Sequence, residues 1–146
     1  MQARYGFYVV GDQALARWGD PTEKRHLGAF TAFVCAPDQR VSQMPYFFDA
    51  GLVAYGFLPN RPRDFAGFGV AYGSYSSDLR RAEEVQALTN PAVGVQNWEM
   101  TLELTYGCTV RPGLRVQPSL QYLINPGGNK AIPNALAIGV NVVVSF

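Results

Sequence analysis

With 146 residues, 48% of them apolar and only 16% charged, the chain suits a single domain of apolar, charge-poor composition. A net charge of +1 gives no electrostatic reason to expect nucleic acid or anionic lipid as a partner. No apolar run of about 18 residues occurs, which excludes a membrane-spanning helix but not the strands of a membrane barrel, since these need only about 9–11 residues each. Aromatic residues at 13% and fifteen glycines suit such a barrel, with its interfacial girdles and crowded wall, and also suit a soluble β-sandwich. The opening MQARYGFYVV has no basic segment followed by an apolar stretch and a cleavage site, so the expectation is that a leader has been removed or that the chain is a piece.

Residues 3–17 form a long apolar run in which Tyr5, Phe7, Val9 and Leu15 share one parity and Arg4, Tyr8 and Asp12 the other. Charge collected on one side is what a two-faced strand requires, because side chains alternate with period two. The turn-like 18–25 ends it. Residues 27–36 read as a second strand with weaker alternation, stopped by Pro37-Asp38-Gln39-Arg40. In the third, 46–57, Tyr46, Phe48, Ala50 and Leu52 oppose Phe47, Asp49, Val53 and Tyr55. Asp49 fixes its polarity, since an ionised carboxylate must face water or a partner. The PNRPRD of 59–64 holds two prolines and cannot be strand.

The fourth strand, 65–76, sets Phe68, Val70 and Tyr72 against a thin face of Gly67, Gly69, Ala71 and Gly73, which leaves space for something to approach the wall. Residues 79–95 are the longest irregular stretch and the most charged. Their first part, 79–88, reads as a short helix that Asn90-Pro91 ends. Then comes the clearest alternation in the chain: Trp98, Met100, Leu102, Leu104 and Tyr106 between Asn97, Glu99, Thr101, Glu103 and Thr105. Arg111-Pro112-Gly113 reads as a tight turn. Residues 114–124 repeat the pattern, with Pro118 as a departure that predicts a bulge or an unpaired position. After the Pro- and Gly-rich loop 125–133, the last strand, 134–146, places Leu136, Ile138, Val140, Val142, Val144 and Phe146 on one face and Ala137, Gly139, Asn141, Val143 and Ser145 on the other.

The reading is all-β: an antiparallel meander of about seven long strands in one domain, with short connections. Seven antiparallel strands cannot close on themselves, since the first and last would meet in parallel, so the chain reads as a fragment or as a piece needing other strands. A soluble lipocalin-like or β-sandwich binding domain, with the large faces as its core, is the alternative.

Catalysis is not expected. Glu99 and Glu103 stand four residues apart, about 13 Å along a strand and too far for a glycosidase pair. No G-x-S-x-G, His/Cys metal spacing or phosphate loop is present, so no metal or cofactor is expected. His26, beside a basic turn, reads as a solvated surface residue. Cys35 and Cys108 lie three strands apart, about 14 Å, which excludes a disulfide.

The segments FAGFGVAYGSYS, NWEMTLELTYGCTVRPGLRVQPSLQYLINPGGN and NALAIGVNVVVSF, with GFYVVGDQALAR and PNRPRD upstream, resemble the C-terminal part of the carbohydrate-selective porin (OprB) family, over essentially all of 1–146. The final Phe146 is similar to the C-terminal signal of outer-membrane barrels. The resemblance implies a transmembrane β-barrel segment, part of a 16-stranded wall in the outer membrane of a Gram-negative bacterium, that passes glucose and other sugars by diffusion. Its partners would be saccharides, outer-membrane lipid, and further strands or other copies of the chain. With the large apolar faces outward, the lumen receives Arg4, Asp12, Asp49, Glu99, Glu103, Arg115, Gln117 and Gln121, and Tyr8 or Tyr55 could stack on a sugar. A pairing of Glu103 with Arg115 across neighbouring strands would instead make these residues braces of the wall. The resemblance also puts 59–64 and 111–113 on the periplasmic side and 79–95 and 125–133 outside.

Overall fold

The computed structural model describes residues 5–20, 24–90 and 94–146. Seven strands, β1 (Phe7–Arg17), β2 (His26–Cys35), β3 (Tyr46–Tyr55), β4 (Phe65–Ser74), β5 (Trp98–Arg111), β6 (Leu114–Ile124) and β7 (Ala135–Val144), form one sheet in sequence order. Every neighbouring pair is antiparallel. The meander expected from alternation is therefore present. β1 and β7 each pair on one side only, and the sheet stays open.

The register turns period-two alternation into two continuous faces. One row runs Asp12, Phe30, Gly51, Gly69, Glu103, Gln121, Ala137 across all seven strands. The next row on the opposite face holds Ala29, Leu52, Phe68, Leu104, Leu120 and Ile138. This second, apolar face has no covering layer: Phe68 is 50% exposed, Leu104 55% and Ile138 79%. Among the described apolar side chains, Cys35 and Pro45 are buried. A soluble sandwich or lipocalin would bury this face as its core.

Two boundaries differ from expectation, each for a local reason. The helix α1 (Ser77–Thr89) begins two residues earlier than its periodicity suggests, because Ser76 caps it, its Oγ accepting from the Asp78 and Leu79 amides. β5 continues to Arg111, since Gly107 pairs with Phe65, Cys108 with Val116 and Thr109 with Arg115. Around Pro118 the structure shows the second of the two expected outcomes, an unpaired position instead of a bulge: Thr105 pairs with Ser119 and Cys108 with Val116 in unchanged register, with the pairs between them unmade. The Thr105 hydroxyl instead donates to the Pro118 carbonyl at 3.1 Å. Bulges fall at Ala14/Ala16 and Thr109/Arg111. At the β5–β6 hairpin Pro112 leads into Gly113 at φ 81, a left-handed position where a Cβ would meet the Ser145 carbonyl at 2.5 Å.

The two ends of the sheet are built differently. At one end lie the turns after β1, β3 and β5; at the other lie 36–45, the helical connection, and 125–134. Cys35 and Cys108 are free thiols at opposite ends.

Candidate functional site

The polar face carries the chemistry, and its middle is a trough of about 290 Å³. Gly67, Gly69 and Ala71 of β4 form the floor; Phe30, Asp49, Val53, Thr101, Glu103 and Thr105 form the sides. Small residues on β4 let the neighbouring strands' side chains lean over the wall instead of standing away from it. The thin face expected from sequence is thus the floor of the trough, with Phe30 reaching toward Gly69 from one side. The side chain of Phe30 lies over Gly51, and that of Phe65 lies over Gly107.

Of the residues expected to face a lumen, Asp12, Asp49, Glu99, Glu103, Arg115, Gln117 and Gln121 all share the polar face. Arg4 lies outside the described residues. The seven do not form one cluster. Asp49, Glu103 and Gln121 surround the trough region, with Gln121 Nε2 donating to Glu103 Oε2 at 2.7 Å. Gln117 Nε2 donates to Thr105 Oγ1 at 3.1 Å. Asp12 sits on the edge strand β1, beside Phe30. The carboxylates of Asp12 and Asp49 have no hydrogen-bond or ion-pair partner among the described residues.

The pairing of Glu103 with Arg115 does not form, because register sets Glu103 opposite Gln121 and Arg115 opposite Thr109. Arg115 instead places its guanidinium 5.4 Å from the Phe65 ring centroid, with its Nε buried and without a hydrogen-bond partner among the described residues. That cation–π contact replaces the ion pair. Tyr55 stacks on His26 at 4.7 Å and tilts against Phe65 at 5.8 Å. The row His26–Tyr55–Phe65 therefore braces the wall, and Tyr55 has a face already taken. His26, read as a solvated surface residue, opens β2 on the polar face.

Glu99 is turned to the rim. Its Oε2 accepts from the Gly127 amide at 2.9 Å, and burial, then the Glu99 charge, push the neighbouring Tyr75 phenol up, keeping it a donor. The Tyr75 ring packs on Gly128, whose carbonyl accepts from the Asn97 amide at 2.9 Å. Loop 36–45 folds onto the same face, with the Met44 thioether over Gly73. It also holds the start of α1: Ser76 Oγ donates to the Gln39 carbonyl at 2.6 Å, and the Ser77 amide donates to Gln39 Oε1 at 2.7 Å. Farther along α1, Glu83 Oε2 accepts from the Gln96 amide at 2.7 Å. Three connections thus form one hydrogen-bonded rim at this end.

The opposite end is held by Asp64, 2% exposed in the turn 56–64. Its carboxylate accepts from the Tyr106 hydroxyl at 2.6 Å and the Thr109 amide at 2.8 Å, with Arg61 Nη1 3.3 Å away. Burial alone would push its carboxyl up, but Tyr106, Thr109 and Arg61 outweigh burial and hold it below the usual carboxylate range. Sequence reading passed over Asp64, because its hydrogen-bond partners Tyr106 and Thr109 lie more than forty residues away. Among the described residues no group of His, Cys, Asp and Glu is arranged to hold a metal ion.

Comparison with known proteins places this geometry. The profile of the family described as carbohydrate-selective porin, OprB family, matches residues 1–146. Porin B of Pseudomonas aeruginosa is 30% identical over 99% of this chain and 33% of its own length. A putative porin, QuiX, of Acinetobacter baylyi is 23% identical over 99% of this chain and 35% of its own. The chain thus spans about a third of these curated relatives. A solved structure, the high-pH structure of Pseudomonas putida OprB, superposes with a TM-score of 0.91 at 31% identity, covering 98% of this chain and 36% of that one.

Proposed function

The chain belongs to the OprB family of carbohydrate-selective porins, and on that premise we propose that its seven strands form an arc of an outer-membrane barrel wall whose polar face lines a diffusion path for saccharides. A porin is a channel, so binding must be weak enough for release. The observation that carries the reading is that the charged residues Asp12, Asp49, Glu99, Glu103 and Arg115 share one face while the opposite, largely apolar face has no covering layer. In water such a face would drive aggregation; in a bilayer it is the lipid contact. The edges of β1 and β7 carry unpaired backbone groups, which hydrocarbon does not tolerate, so further strands or other copies must pair with them.

The rim of α1, 36–45 and 125–134 would face outside, and the turns held by Asp64 and Gly113 would face the periplasm. Longer, hydrogen-bonded connections on the outer side and tight turns on the inner side fit the usual asymmetry. Asp12, Asp49, Glu103 and Gln121 would contact passing sugars, as acceptors and donors for hydroxyls. Glu99, Arg115 and Gln117 would shape the wall through the partners described above.

Proteoliposome swelling tests this. Vesicles containing the protein should swell in iso-osmotic glucose faster than empty vesicles. A rate equal to that of empty vesicles would refute the sugar path.

A further inference from the structure

We propose that Phe30 is a stacking platform for pyranose rings at the centre of the polar face, a role that deepens and rests on the sugar-path reading. The register places Phe30 in one row with Gly51, Gly69 and Glu103 on the next three strands. A Cβ at Gly51 would come within 2.5 Å of Phe30 Cζ, and one at Gly69 within 3.7 Å. Since neighbouring strands stand about 4.8 Å apart, a ring rooted on β2 that reaches Gly69 on β4 must lie down along the wall. Two glycines in succession are what permit it. The other side of the ring borders the trough, whose 290 Å³ is roughly ten times the share of a liquid water molecule and leaves room for a monosaccharide.

The surroundings suit a sugar more than an apolar ligand. Asp12 is the row neighbour on one side of Phe30, and Glu103 lies beyond the two glycines on the other. Asp49 stands two residues along β3 from Gly51, its carboxylate without a partner among the described residues. A pyranose with equatorial hydroxyls has flat C–H faces that can rest on an aromatic face, while its hydroxyls project sideways and donate to such carboxylates. A linear polyol of similar size has the hydroxyls without the flat face. The structure therefore assigns Phe30 discrimination between ring and chain, and the carboxylates the recognition of hydroxyls in either.

A ring over glycines also fills a gap in the wall, which is a structural role. The two roles separate in planar lipid bilayers, with ion current read as glucose or sorbitol is added. Phe30→Leu fills the gap without a flat aromatic face, and Phe30→Trp keeps one. With the platform, Phe30→Leu raises the half-blocking glucose concentration about tenfold, equivalent to about 1.4 kcal/mol, and leaves sorbitol unchanged. Phe30→Trp stays within about twofold of the parent. Phe30→Met, which fills the gap with a flexible chain and no flat face, gives the same selective loss and serves if Phe30→Leu does not fold. Equal shifts for glucose and sorbitol, or no shift for either, would leave Phe30 a structural filler and overturn the proposal. A parent channel that conducts ions but is not blocked by glucose would overturn the platform alone. A parent without conductance would overturn the pore reading beneath it.

Discussion

Asp64 holds the turn 56–64 onto β5, and replacing it is the perturbation whose size follows most directly from the structure. In Asp64→Ala the Thr109 amide and the Tyr106 hydroxyl lose an acceptor at 2.8 and 2.6 Å, and Arg61 loses its carboxylate at 3.3 Å. Hydrogen bonds to a charged group contribute about 1.5–3 kcal/mol each, and loss of one partner from a buried charged arrangement costs about 3–5 kcal/mol. Arg61 is half exposed, so the ion pair adds little to this. The expected loss is about 3–4 kcal/mol, with Asp64→Asn losing less because an amide oxygen still accepts. Urea unfolding in lipid vesicles, followed by Trp fluorescence and by heat-modifiable electrophoretic mobility, measures it. The pH dependence has a definite sign. Because the folded carboxyl is held below its ordinary value, its stabilisation is fully present above the ordinary carboxylate range and is lost as pH falls through the folded value. The parent should therefore weaken below about pH 4 more steeply than Asp64→Asn. A variant unchanged in midpoint, or a parent and Asp64→Asn with the same acid profile, would refute this account of the turn.

The other predictions concern the two faces and the rim. Val140→Arg puts a charge in the middle of β7 on the bare apolar face and should cost about 2–4 kcal/mol in lipid, whereas Asn141→Arg on the polar face should cost about 1 kcal/mol or less, both by urea titration. Ser76→Ala removes the cap of α1 and its bond to Gln39, and should make protease nicking of 77–90 faster with a local loss of about 1 kcal/mol. Mild oxidation should produce no intrachain disulfide, since Cys35 and Cys108 stand at opposite ends of the sheet; a crosslinked monomer on non-reducing gels would contradict the register.

Strands were legible in proportion to how cleanly burial divides them. β5 alternates cleanly over 98–106 because one face meets apolar surroundings and the other polar ones, and β6 departs from this at Pro118 and Leu123. β2 alternates weakly for a reason that appears only in three dimensions: Phe30 stands on the polar face because glycines on the next two strands let it lie flat. Its hydrophobicity belongs to a contact that strand periodicity does not encode. α1 starts two residues before 79 because the Ser76 cap lies outside the periodic stretch that marks 79–88 in the sequence. Parity puts the carboxylates on one common face, as the register does, but parity is silent about partners. Glu99 binds the 125–134 loop and Arg115 binds Phe65, and both follow from register and loop path. Asp64 in its turn gave no signal at all, since its function rests on β5 groups brought near by the β4–β5 pairing.

The central claim is that one face of this sheet meets lipid and the other meets water. Single-cysteine scanning of β6 in lipid vesicles tests it most directly, with Cys35 and Cys108 first replaced by serine and each of residues 116–122 then replaced in turn. Reaction with a membrane-impermeant maleimide should be fast at Gln117, Ser119 and Gln121 and slow at Val116, Leu120 and Tyr122, while quenching of an attached fluorophore by brominated lipid should show the opposite order. A profile without this period of two, or one in which Leu120 labels as fast as Ser119, would contradict the account.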